Sequence, residues 1–169
     1  MTDATFEEGR ERPLRLIARD ADDLQVISAL VQDAVLTGTD LRYDARKRCF
    51  SILVNRFRWE DRTQADTGGA GHERVRAVLQ FDDVLAVRHQ GLETRDTETV
   101  LALLAISWAP DAAEAETAAD APAGPGRATL IFSGDGAVAL DVECLEVQLC
   151  DVTRPYLAPS RRAPTHGVE

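Results

Sequence analysis

The chain has 169 residues, with 29 Asp and Glu against 19 Lys and Arg, a net charge of -10 and 44% hydrophobic residues. That suffices for one substantial core and is short for two, so a single domain is expected. The charge argues against a surface that grips nucleic acid or anionic lipid throughout, since such binding needs clustered Lys and Arg to displace counterions; a local basic patch remains compatible with it.

Residues 1–12 are polar, charged and without period, which predicts a disordered leader before Pro13. No apolar stretch follows a basic start, and no window approaches the roughly 18 apolar residues of a membrane span. A cytoplasmic protein without membrane attachment is the expectation. Leu14-Arg15-Leu16-Ile17-Ala18 reads as a short strand, and Asp20 offers an N-cap carboxylate to the first turn of a helix running from Ala21 to about Gln32. Leu24, Ile27, Leu30, Val31 and Ala34 recur at helical spacing and form the buried face, leaving Asp22, Gln25 and Ser28 toward solvent.

Residues 34–43 and 49–59 read as two antiparallel strands joined by Asp44-Ala45-Arg46-Lys47-Arg48. Ile52, Leu53 and Val54 form a continuous apolar run, which predicts burial on both faces at the strand's centre. Further on, Phe57 and Trp59 alternate with Arg56 and Arg58, so that end is expected to have one wet face. Residues 61–73 and 111–126 lack any anchoring apolar face and are expected to be mobile inserts within a single α+β domain spanning 13–157; residues 158–169 read as a flexible tail.

From Val75 the apolar residues alternate as far as Phe81, and the phase then slips at Asp82-Asp83 before Val84. A slip of one in a two-residue period is what a bulge or strand corner produces. The spacing Leu79-x-Phe81-x-x-Val84 returns as Leu140-x-Val142-x-x-Leu145, either a weak internal repeat of a bent β unit or coincidence. Residues 99–108 are apolar almost throughout; their length and the following Pro110 favour a strand over a short helix. Residues 128–132 and 138–142, joined by Ser133-Gly134-Asp135-Gly136, form the clearest hairpin. The resulting fold class is α+β: one amphipathic helix packed on a bent, mainly antiparallel sheet of about seven or eight strands.

Four segments in this order, L-x-L-I-A-x-D-x-x-D-L-x-V-I-S-A-x-x-Q-D-A-V from Leu14, N-R-F-x-W-E from Asn55, L-L-A-I from Leu103 and V-E-C-L-E from Val142, carry a resemblance. The chain resembles a proteobacterial domain-of-unknown-function family, DUF2948. The resemblance implies no assigned activity and transfers no functional residue.

Chemistry-bearing residues are few. Arg42, Arg46, Lys47, Arg48, Arg56 and Arg58 concentrate basic charge in an otherwise acidic chain, and with Trp59 or Tyr43 as a stacking surface they could hold an anionic partner; a solvated hairpin edge is the plainer reading. Gln32, Asp33, Asn55 and Glu60 could orient a small polar ligand, although helix and strand ends call for such groups anyway. Asp141, Glu143, Glu146 and Asp151 read as the wet face of a strand. His72, His89 and His166 are scattered, with no metal-ligand spacing. Cys49, Cys144 and Cys150 read as free thiols, and acids surround Cys144, which works against a reactive thiolate. Neither a catalytic constellation nor a cofactor or metal site is indicated. The functional expectation is a non-catalytic interaction module or adaptor, with a protein or other anionic partner at the basic hairpin and nucleic acid disfavoured; the alternative is a small-ligand-binding protein or small enzyme using the Gln32, Asp33 and Asn55 region.

Overall fold

The structure is a computed structural model that describes residues 13–58, 73–111, 124–153 and 156–157. Strand β1 (Arg15–Ala18) leads into helix α1 (Ala21–Leu30), followed by β2 (Ala34–Leu36), β3 (Leu41–Asp44), β4 (Cys49–Phe57), β5 (Glu73–Phe81) and β6 (Val84–Gln90). Then come β7 (Leu101–Pro110), β8 (Gly126–Phe132), β9 (Ala137–Val142), β10 (Val147–Asp151) and the two-residue β11 (Tyr156–Leu157). All eleven join one antiparallel sheet, in the order β1-β10-β5-β4-β2-β7-β8-β9-β6, with β3 beside β4 and β11 beside β5. The α+β class therefore holds, and the strand number exceeds the seven or eight expected. Part of the difference lies at residues 34–43, which are two strands. Asp40 accepts the Thr37 backbone N–H at 2.9 Å, and the Gly38–Asp40 3-10 turn it closes interrupts them.

Helix α1 begins where the capping chemistry requires, with the Asp20 carboxylate accepting the Asp23 N–H at 2.7 Å. It lies against β1 and β7, and Leu24, Ile27 and Val31 are fully enclosed. Ser28, expected toward solvent, instead turns its hydroxyl to the sheet and accepts the Ile106 N–H of β7 at 3.0 Å. Residues 101–110 are indeed a strand, and the expected β8–β9 hairpin is present. Of the two expected inserts, residues 61–72 and 112–123 lie outside the described residues, as do the leader and tail; Glu73 and Gly126 are the first residues of β5 and β8.

The two phase slips meet in space. β5 and β10 pair on one side of the bend (Phe81 opposite Val147), β6 and β9 on the other (Val84 opposite Val142). Their bends cross-link through Asp82 N–H to Glu146 O at 3.0 Å and Glu143 N–H to Asp83 O at 3.0 Å. The matching spacings thus reflect two ribbons turning one corner side by side. Leu79, Phe81, Val84, Leu140, Val142 and Leu145 are all buried there.

Truncating Ile27 to Ala should cost about 2–5 kcal/mol in urea unfolding, the range for deleting enclosed methylenes, and Gln25→Ala should cost almost nothing. Equal losses at the two positions would refute the assigned helix face.

Candidate functional site

On β4 the inward-facing residues are Phe50, Ile52 and Val54, while Ser51, Leu53 and Asn55 are partly exposed, so the expected double burial of the Ile52–Leu53–Val54 run gives way to simple alternation. That alternation carries Arg56 onto the core side, and at the strand's end Phe57 is buried as well, with Arg58 just beyond it. Both arginines are buried, Arg56 at 0% and Arg58 at 7% relative exposure, which overturns the expected wet face. The same parity on β10 takes Val147 and Leu149 into the core, followed by Asp151, whose side chain is 5% exposed.

Arg56 and Asp151 meet across β5, whose Val75 and Ala77 oppose them in register. Nε donates to Oδ1 and an Nη to Oδ2, each at 2.9 Å, the two-pronged geometry that a planar guanidinium and a carboxylate share. Asp151 Oδ2 also accepts the Leu14 N–H at 2.9 Å, while the Asp151 N–H donates to Leu14 O, so the pair fixes the entry of the chain into β1. Arg58 is held by Glu73 at 2.6 Å and donates its backbone N–H to Glu73 O.

Arg48 is also committed. It closes the β3–β4 turn in a left-handed conformation (φ 51°), accepts the Val84 N–H on its carbonyl at 2.9 Å, and reaches Asp83 at 3.1 Å and Glu143 with its guanidinium. These two carboxylates hold its proton more firmly than usual, Glu143 contributing most. Asp83, itself left-handed (φ 55°), accepts the Cys144 thiol at 3.0 Å. That bond, followed by Arg48, draws the Asp83 carboxyl below its ordinary range, and the same bond together with burial pushes the Cys144 thiol up to about 11. Burial and then Asp82 raise Cys49 as well, and all three cysteines are free.

The four acids expected to form a wet face are ion-paired, each to a different part of the chain. Asp141 meets Arg127 at 2.7 Å and Arg88 at 3.2 Å, Glu143 meets Arg48, Glu146 meets Arg19 at 3.6 Å, and Asp151 meets Arg56. Arg127 holds the Asp141 carboxyl below its usual range.

Of the basic cluster, Arg42, Arg46 and Lys47 remain exposed and make no ion pair with any described residue. Asp44 shapes their turn by accepting the Arg46 and Lys47 backbone N–H groups at 3.1 and 3.2 Å. Beside the turn lies an open depression of about 420 Å³ lined by Arg42, Lys47, Cys49, Ser51, Gln80 and Asp82, among others. Tyr43 faces elsewhere, donating its hydroxyl to Val84 O at 2.9 Å. Trp59 and Glu60 lie outside the described residues. Gln32 and Asp33 stand at the exit of α1, where the Asp33 N–H donates to Leu103 O at 2.8 Å, and Asn55 pairs with Val35 two residues further along. The structure therefore brings these three to one end of β2, away from the hairpin turn. Among the described residues no cluster of His, Cys, Asp and Glu could hold a metal ion, and no helix is long and apolar enough to cross a membrane.

Sequence reasoning missed Asp151 as the partner of Arg56. The available signal was parity: even positions from Phe50 and odd positions from Val147 continue unbroken into the charged pair.

Removing one member of a buried pair leaves the other's charge less compensated, so Asp151→Asn should lower stability by about 3–5 kcal/mol, while the double change Arg56→Met with Asp151→Leu should recover part of that loss in chemical denaturation, the Leu14 N–H still lacking its acceptor. The bond to Asp83 favours the neutral Cys144 thiol. Its contribution to stability is complete below the ordinary thiol value of 9.0 and is lost as pH rises through about 11. Site-resolved alkylation of Cys144 should accordingly show a midpoint near 11 and move downward in Asp83→Asn. A wild-type midpoint below 9.0 would contradict the bond. At the acid end, Asp83 and Asp141 stabilise the fold above the usual 3.8 and cease to do so as pH falls through their lowered values.

No curated protein and no solved structure matches the chain. A family described as a protein of unknown function (DUF2948) matches residues 14–166. With the match covering most of its length, the chain belongs to the DUF2948 family.

Proposed function

We propose that the protein is a non-catalytic interaction module that engages an anionic partner at the turn of the β3–β4 hairpin. The supporting observation is how the hairpin's cations divide. Arg48, Arg56 and Arg58 are engaged in ion pairs within the fold, whereas Arg42, Arg46 and Lys47 stand exposed without one among the described residues. Exposed cations of this kind add little to stability and are available to raise the association rate and specificity for a negatively charged surface.

Reversing Arg46 and Lys47 to Glu should leave the unfolding midpoint nearly unchanged and remove partners that co-purify with the wild-type chain from its native cells. Arg48 is the wrong residue for this test, since its loss would also disturb the strand corner. Retention of every captured partner by the double reversal would reduce the hairpin turn to a solvated edge.

A further inference from the structure

The register of the sheet extends the basic feature beyond the hairpin. On the outward side of β3, β4, β5, β10 and β1, direct cross-strand pairing sets Arg42, Ser51, Gln80, Gln148 and Ile17 in one transverse row. Next to it lie Leu53, Val78, Cys150 and Arg15, and beyond Val78 on β5 comes Arg76. These positions carry three arginines and no carboxylate, in a chain with 29 acidic residues among 169. The acids begin one row away, where Asp44 pairs with Cys49 and Asp82 lines the same depression. Asp82 is already engaged there by the side-chain amides of Gln80 at 3.0 Å and Gln148 at 3.5 Å.

Arg15, Arg42 and Arg76 are exposed, sit on three different strands, and make no ion pair with any described residue. Between them the surface is half-buried aliphatic and amide: Leu53, Val78, Gln80 and Gln148. An apolar and amide centre rimmed by arginines is the composition of a protein-binding surface. A single-stranded nucleic acid would need aromatic platforms for its bases, and none of the outward positions in these rows is aromatic.

We infer that this five-strand face docks an acidic segment of a partner polypeptide, whose carboxylates meet Arg15, Arg42 and Arg76 while its backbone and aliphatic side chains lie over the central rows. The inference rests on the interaction-module reading and names the partner's chemistry and the surface that takes it. Since the three cations project from separate strands, the bound segment must extend from beside the hairpin turn across the sheet.

The test uses the full chain, with labelled poly-L-glutamate and a single-stranded oligonucleotide of equal length as probes, read by fluorescence anisotropy at several salt concentrations. Poly-L-glutamate should bind the wild type with an affinity that falls as salt rises. Arg15→Glu/Arg42→Glu/Arg76→Glu should weaken it by about tenfold or more, and the milder triple Gln variant should weaken it less while unfolding at the wild-type midpoint. Loss of binding in both the triple Glu variant and Arg46→Glu/Lys47→Glu supports a segment that spans the turn and the face; loss in the triple Glu variant alone supports the face and overturns the turn. The reverse pattern keeps the turn and overturns the face; unchanged binding in both overturns both. An oligonucleotide that binds as tightly as poly-L-glutamate, or a wild-type dimer in sedimentation that the triple variant abolishes, would overturn the acidic polypeptide as occupant.

Discussion

Two strands of this sheet have to bend at the same place. β5 continues into β6 and β10 follows from β9, and the two ribbons are hydrogen-bonded to each other on both sides of the turn. A bend in one without the other would break the ladder, and a slip of one residue would send the enclosed side chains of both to the wrong face. Two left-handed residues, Arg48 and Asp83, lock the corner, and a non-glycine residue held in that region costs about 1–3 kcal/mol. The cost is offset because the Arg48 carbonyl accepts a strand N–H and its guanidinium takes two carboxylates. The angle between the two parts of the sheet, and hence the outward face that carries Arg15, Arg42 and Arg76, follows from this corner.

Local signals were read well from the sequence wherever one residue controls the outcome. Asp20 marks the helix start because a carboxylate there satisfies exposed N–H groups, and Gly134 with Asp135 marks the β8–β9 turn because both adopt positive φ. The phase slips at Asp82-Asp83 and Glu143-Cys144 were also legible. The adjacency of the two corners was not, since it depends on pairing between residues some 60 apart, as the thiol bond from Cys144 to Asp83 illustrates.

Charge was the misleading signal. Arg56 lies in the inward phase of β4, yet a guanidinium costs so much to bury alone that its polarity points to solvent where the period points inward. What makes burial tolerable is a carboxylate 95 residues away, which spacing within one strand does not reveal. The acids at 141, 143, 146 and 151 show the same effect from the other side: close in sequence, they are answered by arginines drawn from five separate places in the chain. The candidate site was thus half legible. The hairpin's concentration of cations was visible, while its division into structural and exposed members required the fold.

The tie between Leu14 and Asp151 also bears on how the chain comes together during synthesis. Among the described residues β1 has one strand neighbour, β10, and so β1 leaves the ribosome far ahead of the strand it pairs with. Until then Leu16 and Ala18 lack their cross-strand partners, and Arg56 lacks its two-pronged bond to Asp151. Such long-range closure slows folding and prolongs exposure of unpaired edges. A nascent chain stalled before residue 147 would hold β4 and β5 without the strand that completes their charge balance, a state suited to recognition by chaperones.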